Sequence, residues 1–149
     1  MPNRNKATGN DRELRAAKFM RTKGWPKARR RLAGRRLDEG DLENTGLVTW
    51  QVKRLKNGAS RNLIRKWLQE AQNQKKNAGT DFGFLLYVQE FKPVNQWSVY
   101  ARLVDVIQLT TKYTGIVLPT DGKIVRLDFE DMLDLLYNAG YAEEKTSDN

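Results

Sequence analysis

The sequence predicts an α/β fold: a central mixed sheet flanked by helices, with a strand and a helix added at the C-terminal end. Three observations carry this expectation. Val48, Trp50 and Val52 alternate with Thr49, Gln51 and Lys53, the period-two pattern of a half-buried strand. Phe82 to Val88 is an unbroken apolar run between Gly79-Thr80 and Glu90, as in a central strand covered on both faces. Leu63, Ile64, Trp67, Leu68 and Ala71 recur at helical spacing, as do Phe129, Met132, Leu133 and Leu136.

Taken in order, residues 1–9 read as a flexible basic arm. Asn10 caps a helix over Asp11 to Thr22, which Gly24 ends with Pro26 just beyond. Ala16, Ala17 and Met20 form its inward stripe, and Glu13 falls near the middle of that stripe. A carboxylate there has two readings: a capping box reaching back to the Asn10 amide, or a ligand. Arg21 to Arg36 holds eight Lys/Arg and no acid, with Gly34 as a hinge. Charges so crowded repel one another unless an anion is near, so Arg29, Arg30, Arg31, Arg35 and Arg36 are expected on backbone phosphates.

Gly40-Asp41-Leu42 and a turn at Glu43 to Gly46 precede the alternating strand, so Asp41 ends one strand and Gln51 and Lys53 lie on its neighbour. Gln51 and Lys53 share the face opposite Val48, Trp50 and Val52. An acid, an amide oxygen and a lysine on one side of a sheet suit a hard metal ion beside a phosphate. Glu43 reads as a turn residue. Ser60 caps a helix ending at Gly79, with Trp67 in the core and Arg61, Arg65 and Lys66 off the apolar stripe. A loop over residues 91–96 leads to a strand at Trp97 to Leu103 and a short helix at Val104 to Gln108. Lys112 to Gly122 is a loop with one extended piece, Ile116 to Leu118. A strand at Lys123 to Leu127 and a helix capped by Asp128 and ended by Gly140 follow. Residues 10–111 thus form the core and 112–141 an extension packed on it, covering a sheet edge or building a dimer. Residues 142–149 are a disordered acidic tail.

The formal charge of +9 is unevenly spread. Residues 1–127 carry 26 Lys+Arg against 11 Asp+Glu, whereas residues 128–149 carry one Lys against seven acids. A basic body points to a polyanion, with nucleic acid ahead of a membrane surface. No apolar run is long enough to span a bilayer and the N-terminus has no apolar signal core, so a cytoplasmic location is expected. There is no Cys and no His, which excludes thiol nucleophiles, Ser-His-Asp triads, Cys/His zinc sites and histidine-based nucleases. Gly115 and Gly122 before Lys123 lack the spacing of a P-loop, and no GxGxxG occurs, so no organic cofactor is expected. Chemistry here has to come from carboxylates, lysine, amides and a bound metal.

Five pieces in order then carry a resemblance: Glu13, Arg29-Arg30-Arg31, Gly40-Asp41-Leu42, Gln51-Val52-Lys53 and Asn77-Ala78-Gly79. Over residues 7–103 the chain resembles the PD-(D/E)xK nuclease superfamily, and more narrowly the small Holliday junction resolvase-like proteins of bacteriophages. The resemblance implies a restriction-endonuclease-like core in the order α-β-β-β-α-β. It also implies metal-dependent hydrolysis of phosphodiesters in branched DNA by a homodimer, in the host cytoplasm. Asp41, Glu13, Gln51 and the Val52 carbonyl would hold Mg²⁺ or Mn²⁺, with Lys53 completing the catalytic set. Arg29, Arg30, Arg31, Arg35, Arg36, Arg54 and Lys56 would bind backbone phosphates.

One departure stands out. The family's glutamate is Gln51 here, which removes a negative charge from the site. That motivates a rival reading, a nuclease-fold DNA-binding protein without cleavage activity. A third is a structural protein using its C-terminal strand and helix as an interface.

Overall fold

The computed structural model describes residues 4–32, 37–111 and 122–143, with side chains from Asp11 onward. Helix α1 (Arg4–Arg21) leads into two short strands, β1 (Arg29–Arg30) and β2 (Leu42–Glu43), which pair antiparallel. Then follow β3 (Val48–Lys53), α2 (Arg61–Ala78), β4 (Phe82–Tyr87), a 3₁₀ turn at Val94–Gln96, β5 (Ser98–Arg102), α3 (Leu103–Thr110), β6 (Ile124–Asp128) and α4 (Phe129–Asn138). The main sheet has the order β3-β4-β5-β6. β3 and β4 run parallel because α2 carries the chain back between them, while β4, β5 and β6 are successively antiparallel. The protein is therefore α/β, a mixed four-stranded sheet with helices on both faces.

β4 shows why both faces are covered. Phe82, Phe84 and Leu86 enter one core with Ala16, Ala17 and Met20 of α1, Trp50 of β3, and Phe129, Met132, Leu133 and Leu136 of α4. Leu85 and Tyr87 face the other way, against Trp67, Leu68 and Ala71 of α2. Gly83 lies on this second face, where a Cβ would come within 2.5 Å of the Ala71 carbonyl oxygen. Only glycine lets the α2 backbone settle so closely on the strand. The ends of α2 are closed as its sequence requires. Ser60 Oγ accepts from the Leu63 amide at 3.2 Å, and Gly79 takes the left-handed conformation (φ 69°) with its N–H donating to Lys75 O.

Three expectations change. Helix α1 begins at Arg4, so Asn10 lies inside it and no capping box forms around Glu13. The face of β3 bearing Gln51 is not open: Gln51 is 4% exposed, because α2 covers it. Glu43 is a buried strand residue rather than part of a turn. β6 and α4 share the sheet and the main apolar cluster. β6 extends the sheet beyond β5, and four α4 side chains enter the main cluster. Residues 1–3, Arg35, Arg36, the segment containing Ile116 to Leu118, and the tail from 144 lie outside the described residues. Among those described, no helix is long and apolar enough to cross a membrane.

Candidate functional site

The segment carrying Asp41 is laid against the free edge of β3. The Asp41 N–H donates to Trp50 O at 2.9 Å, and its Oδ2 accepts from the Val52 amide at 2.7 Å. The approach depends on Gly40, whose φ is +99° and whose Cβ, if present, would meet Thr49 Cγ2 at 2.8 Å. Asp41 is thereby fixed beside Val52 and Lys53. Helix α1 brings Glu13 to the same place. Burial pushes the Glu13 carboxyl up to about 7, the charge of Asp41 adds to the rise, and Arg30 opposes it. Asp41 is also raised, chiefly by burial and further by Asp38, against the Val52 N–H, Lys53 and Arg31. Glu13, Asp41, Lys53 and Arg30 thus share one electrostatic neighbourhood at the β3 edge.

Gln51 belongs to a polar chain beneath α2. Its Nε2 donates to Glu70 Oε2 at 3.0 Å, and its Oε1 accepts from Gln74 Nε2 at 2.6 Å. The same Gln74 nitrogen donates to Asp38 Oδ2 at 2.8 Å, while Gln74 Oε1 is buried without a hydrogen-bond partner. Asn77 donates to the Asp38 carbonyl at 2.8 Å, tying the loop before Asp41 to the last turns of α2. Sequence reasoning missed Asp38, Glu70 and Gln74. A signal for Gln74 was present, since it follows Trp67 by seven residues and so falls on the apolar stripe of α2.

The arginines divide. Arg31 turns inward: its guanidinium lies 3.7 Å from Glu39 and 3.8 Å from Glu43, and Nη2 donates to Leu42 O. It is an internal counter-charge, a correction to its expected place on DNA. Arg29 is exposed but pairs with Glu43 at 2.8 Å, and Arg54 pairs with Glu90 at 3.1 Å. Glu43 therefore serves two arginines. Lys56 is exposed.

Comparisons with protein-family models, curated proteins and solved structures find no match.

Among the described residues, no three Asp, Glu, His or Cys side chains gather closely enough to hold a metal ion by themselves. The donors still suit a smaller demand. Mg²⁺ commonly keeps several waters and binds through one or two carboxylates. Glu13 and Asp41 are two partly buried acids, and the charge of Asp41 adds to Glu13's cost of ionising, a cost that a divalent cation held by them would offset. Gln51 fits less well, because its oxygen already accepts from Gln74.

Proposed function

We propose that this chain is a divalent-metal-dependent endonuclease with a restriction-endonuclease-like core, acting on branched DNA. The observation that supports this most is the meeting of Glu13, Asp41 and Lys53 at one edge of β3 in a basic protein. Asp41 and Glu13 would hold Mg²⁺ or Mn²⁺, which when bound polarises a phosphate and lowers the pKa of an attacking water. Lys53 supplies a fixed positive charge for the anionic transition state and a donor that orients the water. The Val52 N–H keeps Asp41 pointed at the site. Gln51 acts as a spacer, holding Glu70 and Gln74 in place. Arg29, Arg30, Arg54 and Lys56 would contact backbone phosphates, Arg29 and Arg54 in exchange for their present pairing with Glu43 and Glu90, and the family resemblance supplies the homodimer.

Purified protein with Mn²⁺ is expected to cut four-way junctions, with Asp41→Asn and Lys53→Ala both losing activity by two orders of magnitude or more. Junctions left intact at every protein excess would sink the nuclease reading. The occupied oxygen of Gln51 favours a second reading, a DNA-binding protein without catalysis. Tight junction binding with no cleavage by parent or variants is its signature.

A further inference from the structure

We propose that Phe91 is a stacking platform for an unpaired base, placed beside the candidate catalytic edge; this rests on the nucleic-acid reading above. Phe91 is 83% exposed, more than any other large apolar side chain described, while Phe82, Phe84 and Phe129 are buried. A single exposed apolar residue ordinarily means nothing. Two further features distinguish this one.

The first is that its loop is tied down. The Val88 amide donates to Lys53 O at 2.8 Å, so the loop starts beside the candidate catalytic lysine. Gln89 Oε1 accepts from Ser98 Oγ, the Lys92 amide donates to Gln89 O, and Trp97 Nε1 donates to Lys92 O. Glu90 bridges Arg12 of α1 at 3.3 Å and Arg54 at 3.1 Å. An aromatic ring on a loop fixed at this many points loses little freedom when something stacks on it.

The second is charge. Arg12, Arg54, Lys92 and Lys56 lie on or next to this loop and the end of β3, and Arg15 covers the Trp97 ring at 4.9 Å. Glu90 is shared by two of these guanidiniums, and the carboxyls of Asp41 and Glu13 lie at the neighbouring β3 edge. An exposed ring among cations is the arrangement that binds single-stranded nucleic acid, where bases stack and phosphates are neutralised. Intact duplex hides its base faces. The partner that fits is therefore DNA with unstacked bases next to the scissile phosphate, as at a branch point.

The test compares parent protein, Phe91→Ala and Phe91→Trp, without divalent ions so that no DNA is cut. Affinities are measured for a four-way junction, a single strand and an intact duplex at one salt concentration. The alanine variant is expected to lose about tenfold or more on junction and single strand, while duplex binding stays within twofold. The tryptophan variant restores the loss. 5-Iododeoxyuridine at the branch should photocrosslink to the peptide containing Phe91 in the parent. Parent protein that binds junctions with unchanged affinity after Phe91→Ala overturns the platform and leaves the DNA reading standing. So does an equal loss on duplex, or a change confined to self-association, which would make Phe91 a protein contact. Parent protein that binds none of the three DNAs overturns both.

Discussion

Gln51 sits 3.0 Å from a carboxylate oxygen of Glu70, and that neighbour decides what the position tolerates. Replacing Gln51 by glutamate supplies the acid that the resemblance would place there. Here it exchanges a donor for a second negative charge in a nearly closed space. Gln51→Glu is expected to lower stability by about 1–3 kcal/mol, the cost of losing a buried hydrogen bond and setting like charges together. Adding Glu70→Gln should recover most of the loss, which denaturant melts of the two single variants and the double variant would measure. Unchanged stability in Gln51→Glu would mean that the pair is not held as described.

Glu13 gives a pH dependence. Its folded value, about 7, lies above the ordinary 4.5, so the fold prefers the protonated acid. That stabilisation is complete below about 4.5 and disappears as pH rises through 7. The melting temperature without divalent ions should therefore fall between pH 5 and 8, and Glu13→Gln should flatten the slope. Cation binding runs the other way, because the ligand must be ionised; Mn²⁺ affinity is expected to rise across the same interval.

Among the elements, α2 and β4 form the contact on which the polar chain depends. Gly83→Ala forces a methyl group toward the Ala71 carbonyl, so α2 has to shift outward. A cost of about 1–3 kcal/mol is expected from overpacking, read by chemical denaturation. Both elements were legible in the sequence: the Ser60 cap, the Gly79 stop and the apolar run at residues 82–88 are local signals. Other features were not. An alternating strand reads the same whether its polar face meets water or, as in β3, a network of glutamines and acids. β1 was hidden because Arg29 is paired by Glu43, 14 residues later, a contact that no local pattern reports. The start of α1 was hidden for another reason: Asn10 offered a ready cap, and a cap residue can also lie inside a helix.

Across the whole molecule, the C-terminal elements cannot be removed. Phe129, Met132, Leu133 and Leu136 are all 0% exposed. Four such side chains contribute roughly 6–12 kcal/mol by burial, comparable with the net stability of a small domain. A chain truncated after residue 111 is expected to lose its cooperative thermal transition; a sharp melt near that of the full chain would overturn this view of the core. At this scale the sequence was partly readable. The excess of positive charge, the strand and the amphipathic helix were evident, whereas the joining of β6 to β5 depends on pairing across the chain. The candidate site divides in the same way. Asp41, Lys53 and Glu13 were suggested by order and spacing. Asp38, Glu70 and Gln74 depend on how α2 lies across the sheet.

The placement of the tryptophans has a practical consequence. Trp25, Trp50 and Trp97 are wholly enclosed, whereas Trp67 keeps some solvent contact and has the Lys53 ammonium 5.9 Å from its ring. The indole most open to quenching is thus the one beside the lysine on which the proposed chemistry depends. Intrinsic emission, selected with a mild aqueous quencher, gives an optical probe of that corner without any added label.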